Sequence, residues 1–198
     1  MQGNIGGFGA QFKENRTRPE TMHRLFVAIR PPAPIRALLL GAMGGISGAR
    51  WQSEDQLHLT LRFIGEVDRH RAGDIHAALG AVHQARFEIA LNGIGAFERR
   101  GQPDTIWAGA APHEPLKALH NKVDAALTRV GVAPDQRAFL PHITLARLKR
   151  DSGPVGNLLE RSGGLTSPLF AVDHFGLFES ALTPEGAVYS IVERYRLG

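Results

Sequence analysis

Apolar and polar positions along this chain alternate in short runs that are typical of strands, separated by longer runs with helical spacing. The strand-like runs lie at 23–29, 50–51, 57–63, 87–91, 105–108, 139–148, 169–179 and 187–196. Helical spacing of apolar residues predicts helices at 34–40, 68–83, 115–130 and 155–162. A glycine-rich bend is predicted between residues 91 and 97. Many strands with a few helices between them indicate an α+β fold, in which antiparallel sheets carry helices on their outer side.

Two of the predicted strands carry the same short pattern. His58-Leu59-Thr60-Leu61 recurs as His142-Ile143-Thr144-Leu145, 84 residues further along the chain. Successive side chains of a strand point to opposite faces, so His and Thr share one face while the aliphatic residues occupy the other. Each predicted strand therefore has an apolar back and a front that carries one imidazole and one hydroxyl.

Two such fronts facing each other would form a polar cleft with two imidazoles and two hydroxyls. A single His-x-Thr pattern is most often a half-buried strand with an incidental histidine, but a matched pair with matched apolar flanks is much rarer by chance. Because histidine titrates near neutral pH, the pair can supply one proton acceptor and one proton donor. The repeat predicts an acid–base site without a metal, between two lobes related by approximate pseudo-symmetry.

Composition narrows the class of protein further. A chain of 198 residues with 43% hydrophobic and 21% charged residues is long enough for one globular domain or two small lobes that share a core. The absence of cysteine excludes disulfides, thiolate nucleophiles and zinc–thiolate sites. No run reaches the ~18 apolar residues of a membrane helix. The net charge of +4 weakly favours an anionic partner such as RNA or a nucleotide.

The first 21 residues differ from the rest of the chain. They are rich in glycine and polar residues, show no apolar periodicity and lack the hydrophobic segment of a signal peptide. We predict a flexible N-terminal tail at residues 1–21 and a single folded domain at residues 22–198, in a cytoplasmic protein. Deleting the tail is expected to leave folding intact.

Several other residues could take part in a site. His76 and His83, like His113 and His120, lie seven residues apart on predicted helices, without the closer spacing and nearby carboxylate of a metal site, and are predicted to be solvated surface residues. Trp107 lies on an apolar strand and is predicted to belong to the core, with stacking on a base at a cleft edge as the alternative.

Phe63 and Arg147 each follow the histidine of their motif by five residues. Strict alternation along a strand would place both side chains on the face opposite the histidines. They reach the cleft only if the strands twist, bulge or end at these positions.

The two motifs and their surroundings resemble the two-histidine phosphoesterase superfamily, and within it the LigT-like RNA 2′,3′-cyclic phosphodiesterases, historically called 2′–5′ RNA ligases. The stretches that carry the resemblance are 24–29, 57–67, 106–109, 139–147 and 177–180. The resemblance implies a bilobal fold of two pseudo-symmetric lobes around a central cleft. It also implies hydrolysis of a 2′,3′-cyclic phosphate to a 2′-phosphate without metal or cofactor, and an inefficient reverse 2′–5′ ligation.

By the same resemblance His58 is the general acid to the 3′-oxygen, His142 is the general base on water, and Phe63 contacts the terminal nucleotide. The developing charge on the phosphate oxygens needs hydrogen-bond donors. Thr60 and Thr144 can supply hydroxyls, and Arg147 can supply a guanidinium group. The expected partners are RNA ends or nucleotides that bear a 2′,3′-cyclic phosphate, bound by a monomer.

Three other interpretations remain open from the residues alone. The substrate could be a small cyclic nucleotide or an ADP-ribose cyclic phosphate instead of an RNA end. The chain could be an RNA-end-binding or cyclic-nucleotide-binding module without significant turnover, although binding alone does not require two titratable side chains. It could also be a structural protein in which the motifs are fortuitous.

Overall fold

The computed structural model describes residues 22–184 and 186–198, so the predicted tail at residues 1–21 lies outside the described residues. The strands are β1 (His23–Ile29), β2 (Arg50–Trp51), β3 (Leu59–Val67), β4 (Phe87–Arg99), β5 (Gln102–Ala111), β6 (His142–Arg147), β7 (Phe170–Val172), β8 (His174–Thr183) and β9 (Gly186–Arg196). The helices are α1 (Ala33–Ala42), α2 (Arg69–Gly80), α3 (His113–Arg129) and α4 (Gly156–Ser162). None of these helices is long and apolar enough to cross a membrane.

All described strands join one antiparallel sheet with the order β7-β4-β5-β6-β3-β1-β8-β9, and the short β2 pairs with β6. The two strands that carry the repeated motif, β3 and β6, are neighbours at its centre. Three further strands follow on each side, so the sheet consists of two halves with equivalent strand positions. The predicted α+β class and pseudo-symmetric arrangement are confirmed, with the two lobes joined through a single sheet.

The helices cover one face of this sheet with apolar side chains. In α2 the side chain of Asp68 accepts a hydrogen bond from the Arg71 amide at 2.8 Å, which caps the helix at the predicted residue. In α3 the predicted apolar stripe is buried, and its members are Leu116, Leu119, Val123 and Leu127. The main core lies between these helices and the face of the sheet that they cover. The motif histidines lie on the opposite face of the sheet.

Two segments differ from the sequence prediction. The glycine-rich stretch after Leu91 does not bend the chain out of the sheet, because a register shift between Leu91 and Ile94 and a φ of 80° at Gly93 keep β4 continuous. The predicted strand at 169–179 is divided at Asp173 into β7, which pairs with β4, and β8, which pairs with β1. Because these partners belong to opposite halves, the sheet has to curl for one residue to link them.

Candidate active site

The register of β3 and β6 brings the two motifs together. Leu59 pairs with Ile143, and both side chains are buried on the helix-covered face. In antiparallel order, the next residue on either side places Thr60 beside His142 and His58 beside Thr144, on the other face. The two His/Thr faces therefore lie side by side on one curled sheet, because β3 and β6 are direct neighbours. The sequence prediction, in which the two faces oppose each other across a cleft, differs from the structure in this respect.

Each imidazole is held by a backbone carbonyl two residues before it. Nδ1 of His58 donates to the Gln56 carbonyl at 2.7 Å, and Nδ1 of His142 donates to the Leu140 carbonyl at 2.7 Å. Because a carbonyl oxygen only accepts hydrogen bonds, this contact places the proton of the neutral ring on Nδ1. Nε2 of each ring is then the atom that remains for proton transfer.

An aromatic ring packs edge-on against each imidazole. The Tyr189 ring lies 5.2 Å from His58 at an interplanar angle of 88°, and the Phe97 ring lies 4.9 Å from His142 at 89°. Tyr189 comes from β9 and Phe97 from β4, so each half of the sheet supplies one such contact. Neither aromatic residue was predicted from the sequence, because each lies on a strand remote in sequence from its motif.

Both imidazoles have a lowered pKa. Burial is the largest cause and lowers the pKa of His58 from 6.5 to about 4, although the hydrogen bond that its Nδ1 donates to the Gln56 carbonyl opposes this change. The positive charges of His142 and Arg147 lower it further. Burial, and then Arg147, also lower the pKa of His142. The site thus favours neutral imidazoles in the free protein, and a bound anion would raise both pKa values.

Phe63 and Arg147 both reach the histidine face because their strands bulge at equivalent places. In the pairing of β3 with β1, Leu61 has no partner residue and is the extra residue of a bulge. In the pairing of β6 with β5, Leu145 is the extra residue in the same way. Both leucines are buried, and each directly follows the motif threonine. The interruption of alternation turns the residue two positions later toward the cleft.

The two bulges present different chemistry. Nη1 of Arg147 donates to Oγ1 of Thr105, its partner across the sheet, at 2.8 Å. At the equivalent place in the other half, Phe63 lies opposite Phe26, with ring centroids 6.0 Å apart. One half therefore offers a fixed cation and the other an aromatic surface, since Phe63 is 49% exposed.

Trp107 does not belong to the helix-covered core that the sequence predicted. It is half-buried opposite Thr144, on the same face as the motif side chains, and its ring lies 5.2 Å from that of Phe97. A side chain at Gly95 would overlap the tryptophan ring. The absent Cβ at this position leaves the space in which the indole lies flat on the sheet.

His120 is buried, so the prediction of a solvated histidine was wrong at this position. Its Nδ1 donates to the carbonyl of Leu61, the bulge residue, at 2.8 Å, and its ring stacks on Phe139 at 4.3 Å. The residue lies four positions after Leu116 on the apolar stripe of α3, a spacing that could have identified its inward direction. His76, His83 and His113 are exposed, as predicted.

A cavity of about 530 Å³ opens beside His142, within the range of pockets that hold small molecules. Its lining combines the motif residues with aromatic and charged side chains, among them Thr60, Phe63, Phe97, Arg137, Phe139 and His142. The aromatic surfaces fit a planar heterocycle, while the hydroxyl, the imidazole and the nearby Arg147 suit an anionic group.

Comparison with known proteins shows the family and supports the fold. Residues 46–183 match the family model of the 2′-5′ RNA ligase superfamily. The chain is 32% identical over 169 residues to an RNA 2′,3′-cyclic phosphodiesterase of Archaeoglobus fulgidus, covering 84% of this chain and 96% of that protein. It is 34% identical over 186 residues to an RNA 2′,3′-cyclic phosphodiesterase of Thermus thermophilus, covering 88% and 90%. The crystal structure of E. coli LigT complexed with 3′-AMP superimposes with a TM-score of 0.74 and 28% identity, covering 89% of this chain and 99% of that one.

Proposed function

This chain belongs to the 2′-5′ RNA ligase superfamily, and we propose that it hydrolyses RNA 2′,3′-cyclic phosphate ends to 2′-phosphates by acid–base catalysis with two histidines. The observation that carries the proposal is the pair of imidazoles on adjacent strands, each fixed by a carbonyl at Nδ1. The relatives named RNA 2′,3′-cyclic phosphodiesterase support the substrate class.

In the proposed step, water attacks phosphorus in line with the bond to the 3′-oxygen. His142 accepts a proton from the water at Nε2 while the new P–O bond forms, and His58 donates its Nε2 proton to the departing 3′-oxygen. The products are a 2′-phosphate and a free 3′-hydroxyl. His142 then holds a proton that His58 has lost, and exchange with solvent restores the starting state.

The low pKa of His58 has two consequences for this assignment. A protonated His58 is a strong acid toward the leaving oxygen, but it is scarce in the free protein at neutral pH. The negative charge of the bound cyclic phosphate raises the pKa of a neighbouring imidazole. Substrate binding therefore helps to produce the protonation state that the reaction needs.

The remaining site residues stabilise charge and hold the nucleotide. Thr60, Thr144 and the guanidinium group of Arg147 donate to the non-bridging phosphate oxygens, where negative charge develops. Phe63 contacts the base or ribose of the terminal nucleotide through its exposed ring. For 2′–5′ ligation, the 5′-hydroxyl of a second RNA strand takes the place of water. It attacks phosphorus and loses its proton to His142 while the bond to the 3′-oxygen breaks, and His58 protonates that oxygen, so the products are a 2′–5′ phosphodiester and a 3′-hydroxyl. Cleavage of such a linkage is the opposite direction, in which the two histidines exchange their roles.

The test is incubation of the protein, in EDTA, with an oligoribonucleotide that ends in a 2′,3′-cyclic phosphate, followed by separation of 2′- and 3′-phosphate products. We expect a 2′-phosphate, formed about 10²–10⁴ times more slowly by His58→Ala and by His142→Ala. His113→Ala, which removes an exposed histidine at the start of α3, is the matched control.

Two outcomes would redirect the proposal. Binding of the oligonucleotide without turnover would favour an RNA-end-binding module. Turnover of a small cyclic nucleotide or an ADP-ribose cyclic phosphate, with no reaction of the oligonucleotide, would move the substrate to that class. Near wild-type rates in both histidine variants would rule out the two-histidine mechanism.

A further inference from the structure

A second cavity, of about 720 Å³, lies where β5 and β6 leave the site. Four cationic side chains line it, Arg99, Arg100, Lys149 and Arg150, against the single carboxylate of Asp104. It begins one residue beyond the Thr105–Arg147 pair, where the Leu148 amide donates to the Asp104 carbonyl at 2.9 Å. The cavity is therefore adjacent to the arginine of the proposed phosphate site.

The cationic side chains continue the face that carries the proposed site. Arg99 lies two residues after Phe97 on β4, and Phe97 contacts the His142 ring. The register shift at this place leaves its extra residue, Asp104, on β5, so alternation along β4 still places Phe97 and Arg99 on the same side of the sheet. Lys149 lies just past the end of β6 and lines the same cavity as Arg99. A ligand that extends past His142 and Arg147 along this face would meet these cations next.

A tight turn fixes the position of the two arginines. Arg99 pairs with Gln102, so Arg100 and Gly101 form a two-residue hairpin turn, with φ values of 56° and 74°. Such turns favour Asn-Gly, because asparagine tolerates positive φ better than a long side chain does. Arg100 therefore places a positive charge at the tip of the hairpin, although its positive φ is an unfavourable backbone conformation for a residue with a side chain.

A second basic groove, beside His58, is a weaker candidate for binding an anion. Two of its three arginines, Arg30 and Arg36, form salt bridges with Asp55 and Glu54, and the third is Arg194. Within the described part of the chain, the four cations of the hairpin cavity form no salt bridge. The groove beside His58 has one such cation, Arg194, so more uncompensated charge lies on the Arg147 side of the cleft.

We propose that the hairpin cavity binds the backbone phosphates of the RNA strand immediately 5′ of the terminal nucleotide. The proposal rests on the proposed function, since a strand that ends in a cyclic phosphate at its 3′ end continues only in the 5′ direction. Phosphates attract exposed lysine and arginine without regard to base sequence. The cavity gives the protein a preference for oligonucleotides over cyclic mononucleotides.

The experiment compares two substrates, a cyclic mononucleotide and an oligoribonucleotide with the same 3′-terminal nucleotide, on the full chain. The test variants are Arg99→Gln with Arg100→Asn, and Lys149→Gln with Arg150→Gln, all at exposed positions. Lys117→Gln with Arg129→Gln removes two exposed charges from α3, on the opposite face of the sheet, and is the matched control.

We expect each test pair to lower kcat/KM for the oligonucleotide about ten-fold, mainly through KM, and to leave the mononucleotide unchanged. The slope of log(kcat/KM) against log salt should decrease by about 1.4, the value for two lost contacts to a single strand. Equal losses on both substrates, no loss on either, or the same loss in the α3 control would overturn the proposal. If wild-type protein hydrolyses neither substrate, the proposed function fails instead.

Discussion

Leu61 and Leu145 hold equivalent places in the two halves of the sheet, because each is the extra residue of a bulge that directly follows a motif threonine. Without the two bulges, Phe63 and Arg147 would point into the helix-covered core, where a guanidinium group would be costly to bury. The shared irregularity, together with the shared His-x-Thr pattern, therefore determines which side chains surround the histidines.

Arg147 depends on Thr105 for its orientation. We expect Arg147→Ala to lower kcat on a cyclic mononucleotide by about 10²–10³-fold, as for the loss of one charged donor to the transition state. Thr105→Val removes only the hydrogen bond at 2.8 Å and should cost about ten-fold, with little change in KM. Steady-state kinetics measure both effects, and Arg161→Ala on α4 is the control. Equal rates in wild type and Arg147→Ala would remove this arginine from the mechanism.

The pH profile should differ between kcat/KM and kcat. The profile of kcat/KM reports the free protein, in which the pKa values of His58 and His142 are both lowered, so its maximum should lie below pH 6.5. The profile of kcat reports the complex, in which the anionic substrate raises both pKa values, so its maximum should move to higher pH. Rates on a cyclic mononucleotide between pH 4 and 9 test this; a kcat/KM maximum above pH 7 would contradict it.

Burial of His58 should make folding less stable in acid. The folded-state pKa is about 4, against 6.5 for the ordinary side chain, so between these values the unfolded chain binds a proton that the folded chain excludes. Stability should fall as pH decreases through this window, by at most about 3 kcal/mol from this residue. Urea unfolding at pH 7, 5.5 and 4 should give a shallower decline for His58→Asn. If the free energy of unfolding of His58→Asn declined with pH as steeply as that of the wild type, the prediction would be wrong. His113→Asn is the control for the loss of a histidine.

His120 is expected to act as a positioning residue for the first bulge. His120→Phe keeps an aromatic ring against Phe139 but leaves the buried Leu61 carbonyl without its donor, which should destabilise the fold by about 1–3 kcal/mol. Because Thr60 and Phe63 lie on either side of Leu61, kcat should fall several-fold. Chemical denaturation and kinetics at a temperature where the variant is folded separate the two effects. A lowered kcat in the folded variant supports positioning, whereas an unchanged kcat limits His120 to a structural role.

The central part of the fold follows directly from local sequence signals. The strand at 23–29, the Asp68 cap and the apolar stripe of α3 all match the prediction, because alternation, capping and helical spacing are properties of neighbouring residues. The order of the predicted strands and helices indicated the α+β class, and the repeated motif indicated the pseudo-symmetry. The family resemblance added the bilobal arrangement around a central cleft. The class and the pseudo-symmetry are confirmed.

What the sequence did not predict depends on contacts between remote segments. The edge-on rings of Phe97 and Tyr189 come from strands 45 or more residues away from the histidines they touch. The position of Trp107 depends on the missing side chain of Gly95, which belongs to a different strand. The bulges at Leu61 and Leu145 appear only in the cross-strand register, so alternation alone placed Phe63 and Arg147 on the wrong face.

The strand order has a consequence for how the protein is made. The half of the sheet that contains His58 is built from β3, β1, β8 and β9, so it draws on both the first and the last strands of the described chain. A nascent polypeptide that has emerged only as far as β6 already carries both His-x-Thr motifs, yet Tyr189 has not been translated and β1 lacks its outer neighbour. Translation must therefore have passed β9 before the proposed site can form, and a product that stops before β8 would keep every motif residue without the contacts that Tyr189 and β8 supply.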